Sequence, residues 1–398
     1  MIKIITGVRR CGKSYLLFIL FTDWLREQGV EDSHIIQIDL EDRRNKNLRN
    51  PDSLLEYIDR RMIDNGMYYI MVDEIQHVVE FEDVLNSYLK VKNADVYVTG
   101  SNARFLSKDV ITTFRGRGDE IRVYPLCFRE FMSVYNGTKE RGFDEYMTYG
   151  GMPQIVEHDN YAKKSNYLKL LFDNTYIRDI KERHQIRNDE IMENLMDIIS
   201  SSIGSLTNPT KLANTLQSVR HENISNKTVG NYLEYICDAF MAERVARYDV
   251  KGKKYIDSPY KYYFVDPGLR NARLNFRQKE PTHLMENIIY NELRVRGYNV
   301  DVGVVRVVSR DADLRQSRSQ LEIDFVCNLD SKKYYIQSAY RLPNEEKIKQ
   351  EEASLRKVDD SFKKIIILGE DILVHRNEEG ITTMGIYDFL LNPNSLDL

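Results

Sequence analysis

The sequence of 398 residues has few cysteines, no long apolar run and no overall excess of positive charge. Its four cysteines are scattered without a CxxC pair, which argues against a zinc site and against a disulfide framework. No apolar stretch approaches the roughly 20 residues that a membrane-spanning helix needs. The N-terminus shows neither a basic leader nor a small-residue cleavage site. We therefore expect a cytoplasmic protein.

The composition is that of a folded, globular chain. Hydrophobic residues make up 42% of it and charged residues 30%, unlike a disordered protein. The formal net charge of −4 excludes a uniformly basic nucleic-acid binder. Residues 205–275 nevertheless hold eleven Lys/Arg against seven Asp/Glu, a local excess that fits an anionic partner.

A phosphate-binding pattern, GxxxxGK[ST], lies between a strand candidate at Ile2–Thr6 and a stretch with helical apolar spacing. Its glycines let backbone N–H groups converge on phosphate oxygens at the N-terminus of a helix. Its lysine is predicted to reach the β- and γ-phosphates, and its serine hydroxyl to ligate Mg²⁺. The predicted nucleotide-binding residues are Gly7, Val8, Arg9, Arg10, Cys11, Gly12, Lys13 and Ser14.

Two acidic residues, Asp73 and Glu74, directly follow an apolar strand candidate. In a P-loop enzyme, Asp73 is predicted to hold Mg²⁺ through water and Glu74 to polarise the attacking water. The next strand candidate is followed by Ser101 and Asn102. Either of them is a candidate sensor of the γ-phosphate, with a plain turn as the alternative.

Two arginines, Arg115 and Arg117, are separated by a glycine in an expected surface loop. In an oligomer, an arginine donated to the γ-phosphate of a neighbouring subunit would stabilise charge in the transition state. An ordinary surface position is the alternative for both residues.

The pattern of strands and helices changes along the chain. Up to about residue 130, strands alternate with helices, which predicts an α/β domain with a mainly parallel sheet. Residues 131–203 are largely helical in pattern. Two further helices and two strand runs follow, in the order of a winged helix. The predicted domains are 1–130, 131–203, 204–277 and 278–398, the last with a mixed α/β pattern.

These motifs together resemble a family of prokaryotic AAA-type ATPases that carry a C-terminal domain of unknown function. The resemblance covers essentially the whole chain and includes the later motifs PLCFREF (125–131), YGGMP (149–153) and YIRDI (176–180). It implies an AAA-like P-loop core, a helical lid, a winged helix and a final domain similar to the PD-(D/E)xK restriction-endonuclease fold. It also implies ATP as the nucleotide, and residues ahead of the P-loop strand that help to form an adenine pocket.

The endonuclease-like fold needs carboxylates that converge on Mg²⁺ and a lysine that helps to activate water. Glu286 and Asp324 match two of its acidic positions. The third motif, Glu-x-Lys, here has Gln337 and Ala339, so an amide replaces the carboxylate and a methyl group replaces the lysine. We predict a degenerate site in a structural or nucleic-acid-binding remnant of the fold.

The predicted winged helix contains a possible DNA-contacting surface. Ser225 is a predicted N-cap of its second helix. Asn226, Lys227 and Asn231 would then face a DNA groove, while the lysines of the wing would contact phosphates. These lysines are Lys251, Lys253 and Lys254. Such domains also bind proteins, so both kinds of partner stay open.

The leading prediction is a Mg²⁺-dependent ATPase that acts as a switch, in which the nucleotide state moves the lid and repositions the C-terminal modules. One alternative is a nucleotide-gated DNA- or protein-binding module with little hydrolysis. The other is an ATP-regulated, Mg²⁺-dependent nuclease.

Overall fold

The computed structural model describes residues 1–100, 118–186, 189–220, 224–310 and 316–398. Contacts between residues divide the chain into two compact units. The first unit comprises residues 1–125 with 238–240, and the second comprises residues 126–237 with 241–398. Within the described ranges, no helix is both long enough and apolar enough to cross a membrane.

The first unit contains a five-stranded sheet in which every pair of neighbours is parallel. The strands follow the order β2-β3-β4-β1-β5 across the sheet. Their bounds are β1 Ile2–Thr6, β2 Ile35–Asp39, β3 Tyr68–Asp73, β4 Ala94–Thr99 and β5 Gly118–Arg122. The helices are α1 Lys13–Tyr15, which continues through a π-helical turn at Leu16–Leu20 into α2 Phe21–Glu27, then α3 Pro51–Asp59 and α4 Phe81–Tyr88.

The core of this unit explains why its central strands were predictable. β1, β3 and β4 contribute apolar side chains that are almost fully buried, including Ile4, Ile70 and Val98. The predicted α/β fold with a parallel sheet core is therefore confirmed. Strand β5 was not predicted, because its sequence GDEIR is mostly polar and it forms an edge of the sheet.

The second unit begins with helices, as the pattern of residues 131–203 predicted. They are α5 Phe128–Val134, α6 Lys139–Tyr149, α7 Tyr161–Leu171, α8 Arg178–His184, α9 Asp189–Ser201, α10 Pro209–Arg220 and α11 Asn226–Asp238. A π-helical turn at Phe172–Ile177 joins α7 to α8. The hairpin β6 Ala242–Asp249 and β7 Lys254–Phe264 follows, with α12 Pro267–Arg273 and α13 Pro281–Val295 after it.

An eight-stranded mixed sheet organises the rest of the second unit, in the order β12-β13-β11-β10-β9-β8-β6-β7. The remaining strands and helices of the second unit are β8 Asn299–Arg310, β9 Gln316–Leu329, β10 Lys332–Ala339, α14 Glu345–Arg356, β11 Lys363–Leu368, β12 His375–Arg376, β13 Ile381–Gly385 and α15 Ile386–Leu391. Strand β6 pairs with β8 in parallel, so the hairpin of the predicted winged helix and the strands of the predicted C-terminal domain share one sheet. The boundary at residues 277/278 stays a prediction.

The turn at YGGMP is held by a buried carboxylate. Asp266 accepts hydrogen bonds from the backbone N–H of Gly151 at 2.7 Å and of Leu269 at 2.9 Å. A Cβ on Gly150, whose φ is 71°, would lie 2.1 Å from an oxygen of Asp266. The side chain of Asn271 donates to two carbonyl groups in the last turn of α6. This motif therefore joins segments that lie more than a hundred residues apart in sequence.

Candidate nucleotide-binding and hydrolytic site

The P-loop leaves β1 and enters α1 through two glycines in conformations that other residues rarely adopt. Gly7 has a φ of 144° and Gly12 a φ of 103°. A Cβ on Gly7 would lie only 2.2 Å from the carbonyl oxygen of Val123. Glycine is therefore required at this position by both its backbone angle and the lack of space.

The lysine of the loop is buried at the site. The side chain of Lys13 is held by two hydrogen bonds, in which Nζ donates to the carbonyl oxygens of Gly7 at 3.0 Å and of Val8 at 3.1 Å. These contacts place a positive charge inside the loop that would cradle phosphate. Anionic phosphate oxygens compete for the same ammonium protons, so the lysine is positioned to turn toward a bound nucleotide.

Two other loop residues, Cys11 and Arg9, have side-chain partners within the first unit. The thiol of Cys11 contacts the carbonyl oxygen of Val123 at 3.4 Å, and burial raises the pKa of this thiol. It is therefore a protonated packing group and not an exposed reactive thiolate. Arg9 forms an ion pair with Glu41 at 2.7 Å, and Arg10 is exposed with a φ of 63°.

A connected set of side chains joins the P-loop to the ends of β3 and β4. The hydroxyl of Ser14 donates to Oδ2 of Asp73 at 2.8 Å. The hydroxyl of Thr99 donates to the other carboxylate oxygen of Asp73 and accepts from the backbone N–H of Glu74 at 3.0 Å. Asp73, Glu74 and Thr99 are all buried. Both predicted acidic residues therefore share one hydrogen-bonded network with the predicted Mg²⁺-ligating serine.

Glu74 has an unusual backbone conformation. Its φ of 52° and ψ of 49° lie in the left-handed region, which is uncommon for a residue with a side chain. The carboxylate of Glu74 accepts from the side-chain amide of Gln76, and the residue is 6% exposed. Strain of this kind clusters at functional sites, where surrounding contacts hold a side chain in one orientation.

The electrostatics around Asp73 reflect its burial. Desolvation raises the pKa of this carboxyl above its usual range, while hydrogen bonds from Thr99 and Ser14 oppose the rise. Glu74 and Asp39 raise the pKa further through charge repulsion. A cation bound beside Asp73 would relieve this repulsion.

The donor set fits Mg²⁺. Hydroxyl and carboxylate oxygens are hard ligands, and Ser14 and Asp73 already lie within hydrogen-bonding distance of each other.

The sequence did not single out Thr99 or Asp39. Thr99 is the last residue of β4, and Asp39 ends β2, where it pairs with Asp73 across the parallel register. A search for polar residues at every strand terminus, in place of the loops beyond, would have found both. The predicted sensor and arginine residues Ser101, Asn102, Arg115 and Arg117 lie outside the described residues, so their roles stay predictions.

In the second unit, the structure brings together the three residues of the predicted degenerate nuclease site. Glu286 on α13 and Asp324 on β9 both contact the side chain of Lys261 from β7. Gln337 on β10 lies beside Asp324: its side-chain oxygen accepts from the backbone N–H of Asp324 at 3.4 Å, and its amide donates to Glu351 at 3.1 Å. The lysine was missed because it precedes both carboxylates in sequence and lies in the predicted winged helix.

The predicted DNA-contacting residues are exposed on α11. Ser225 caps this helix, since its hydroxyl accepts from the backbone N–H of Thr228 at 3.1 Å. Lys227 and Asn231 face solvent, whereas Asn226 also bonds to Thr210 on α10. Of the wing lysines, Lys251 pairs with an aspartate, and Lys253 and Lys254 are exposed.

The parallel sheet, with the P-loop between β1 and α1, defines the first unit as a P-loop nucleotide-binding domain. Residues 1–132 match the family model described as AAA domain, and residues 140–280 match a domain of unknown function, DUF8612. The chain is 32% identical over 396 residues to an uncharacterized protein of Haemophilus influenzae, covering 98% of this chain and 94% of that protein. This chain belongs to the same family as that protein.

Three further proteins are similar to this chain. The uncharacterized protein MJ1544 of Methanocaldococcus jannaschii is 29% identical over 387 residues, which cover 93% of this chain and 82% of that protein. Among solved structures, the ORC1 protein of Aeropyrum pernix in complex with DNA has a TM-score of 0.26 at 11% identity, covering 68% of this chain and 86% of that chain. The DNA clamp loader delta protein of Bacillus subtilis has a TM-score of 0.28 at 12% identity, covering 74% and 88%. Scores this low support no inference about this chain.

Proposed function

We propose that the protein is an ATP-hydrolysing, Mg²⁺-dependent switch. The observation that carries this proposal is the hydrogen-bonded network in which Ser14 contacts Asp73 and Thr99 joins Asp73 to Glu74. A phosphate-binding loop alone needs no such network. An ordered pair of carboxylates beside the loop is what hydrolysis requires in addition.

Each residue of the network has a role in this proposal. The amides of the loop from Gly7 to Gly12 bind phosphate oxygens, and Lys13 neutralises their charge. Ser14 and Asp73 would hold Mg²⁺, which when bound stabilises negative charge on the phosphates. Glu74 orients and polarises the attacking water. We further propose that Ser101 or Asn102 senses the γ-phosphate and that Arg115 or Arg117 contacts it from a neighbouring subunit.

A phosphate-release assay tests the core of the proposal. Glu74→Gln should keep nucleotide binding but lower turnover by roughly 100-fold or more, because the water loses its base. Lys13→Ala should lose binding as well as turnover. The matched controls are Glu27→Gln and Lys90→Ala, which change exposed residues of the same types. Turnover at the wild-type rate in either site variant would refute the assignment.

The remaining domains would transmit the nucleotide state. We propose that residues 1–130 form the ATPase core, 131–203 a helical lid, 204–277 a winged helix and 278–398 an endonuclease-like α/β domain. The proposed preference for ATP over GTP is based on the family resemblance. Measuring the binding of each nucleotide to the full chain tests this preference directly.

A second candidate function is a nucleotide-gated DNA-binding module with little hydrolysis. It is favoured by the exposed Lys227 and Asn231 on α11 and by a shallow groove along α10. The groove is lined by Asn208, Thr210, Lys211, Asn214, Thr215 and Ser218. A protein partner on the same surface is the competing possibility.

Duplex binding by the full chain distinguishes these partners. A DNA site should lose affinity steeply as salt rises, because bound lysines displace counterions. Lys227→Ala combined with Lys253→Ala should weaken binding and flatten the salt dependence, whereas Lys251→Ala, which removes a lysine paired with Asp359, should change it less. If the full chain does not bind duplex DNA at any ionic strength, with or without ATP, a DNA partner is excluded.

A further inference from the structure

Three carboxylates in the second unit converge on one buried ammonium group. Lys261 on β7 has a side chain that is 3% exposed. Its Nζ lies 2.8 Å from Oε1 of Glu286, 2.8 Å from Oε1 of Glu322 and 3.8 Å from Oδ1 of Asp324. Glu286 comes from α13, while Glu322 and Asp324 come from the same strand, β9.

Further contacts hold the carboxylates around the ammonium. The hydroxyl of Tyr263 donates to Oε1 of Glu286 at 2.5 Å, and the backbone N–H of Ser338 donates to Oδ2 of Asp324 at 2.8 Å. The backbone at Gly204 covers Glu286 so closely that a Cβ there would lie 3.2 Å from both carboxylate oxygens. The imidazole Nδ1 of His283 lies 3.9 Å from Oε2 of Glu286.

Such a cluster requires a cation. Carboxylates that are crowded together and largely removed from water repel one another and destabilise the fold unless a positive charge lies between them. A set made only of carboxylate oxygens is also the kind that hard divalent cations bind. Here the side chain of Lys261 supplies the charge from within the chain.

The burial of Lys261 also argues against a role for it in activating water for hydrolysis. A lysine that activates water for hydrolysis must reach the substrate, whereas this ammonium is enclosed by its carboxylate partners and is 3% exposed. Among the residues that the structure describes, no group of three or more His, Cys, Asp and Glu side chains is arranged to hold a metal ion.

We propose that the ammonium group of Lys261 occupies the place of a divalent cation in this cluster. The cluster then stabilises the packing of β7 against α13 and β9 without a metal ion. In this arrangement, the carboxylates at positions 286 and 324 do not support metal-dependent hydrolysis of nucleic acid. The residues of this cluster lie far from the P-loop in sequence, and their contacts do not depend on ATP hydrolysis.

Metal binding by the full chain tests the proposal. Lys261→Ala removes the ammonium and leaves space for a cation. It should lower Tm by on the order of 10 °C, because buried carboxylates lose their partner. Mn²⁺ should then restore Tm, and electron paramagnetic resonance should detect one Mn²⁺ site that wild type lacks. Lys261→Met fills the same space without charge, so its Tm should fall without recovery in Mn²⁺.

Mn²⁺ binding by wild type and by Asp324→Asn provides a second test, which applies even where Lys261→Ala does not fold. The two proteins should bind the same amount of Mn²⁺, since any ion held at the P-loop is common to both. Mn²⁺ binding by wild type that Asp324→Asn abolishes would overturn the proposal. So would cleavage of supercoiled DNA by wild type that disappears in Asp324→Asn.

Discussion

Replacing Thr99 with valine is the sharpest test of the hydrolytic network. The hydroxyl of Thr99 makes two buried hydrogen bonds, one to the carboxylate of Asp73 and one from the backbone N–H of Glu74 at 3.0 Å. Valine has nearly the same shape, so the substitution removes these bonds without opening a cavity. Thr99 is fully buried, so water does not readily replace the lost hydroxyl.

The magnitude follows from the two groups that lose a partner. A buried polar group without a hydrogen bond costs about 1–3 kcal/mol, so with two such groups Thr99→Val should lower the free energy of unfolding by about 2–6 kcal/mol. Loss of the bond to Glu74 also frees a strained backbone to relax. A displacement of about 1 Å in a catalytic group costs on the order of 100-fold in rate, so we expect kcat to fall by about that factor.

The assay is phosphate release at saturating ATP, combined with urea unfolding of the same samples. Thr99→Ser is the matched control, because serine keeps the hydroxyl and should retain most of the activity and stability. Wild-type turnover in Thr99→Val would refute the catalytic part of the reasoning, even if the variant unfolded more easily. Wild-type stability would refute the structural part.

Three further predictions concern other features. Gly7→Ala should abolish nucleotide binding in a fluorescence titration, since a Cβ there would lie 2.2 Å from the carbonyl oxygen of Val123; normal affinity would contradict the loop geometry. Burial raises the pKa of Asp266 to about 6, above that of an unfolded aspartate. The free energy of unfolding of wild type should therefore rise by up to about 3 kcal/mol relative to that of Asp266→Asn as pH falls from 7 to below 4. Urea titrations measure this difference, and a gain with rising pH would contradict it. Ser225→Ala should lower the free energy of unfolding by about 1 kcal/mol, because the N–H of Thr228 loses its cap; an unchanged urea midpoint would contradict this.

Local patterns predicted much of the first unit because they depend on neighbouring residues. Apolar strands that are buried on both faces appear as continuous apolar runs, which is why β1 and β3 were found. Strand β5 is an edge strand with a polar sequence, and its place beside β1 depends on a contact between residues distant in sequence. Helix α11 and its cap were predicted for the same reason as β1, since an N-cap acts within four residues.

Sequence patterns alone identified the P-loop and the acidic pair Asp73 and Glu74. They also predicted that Gln337 and Ala339 replace the third motif of an endonuclease-like domain. Each is a short pattern whose chemistry depends on residue type and spacing. Only the tertiary structure decided that Thr99 joins the two acids and that Lys261 lies among three carboxylates. Side chains from different strands and helices meet through the folding of the whole chain, so no local pattern encodes which of them come into contact.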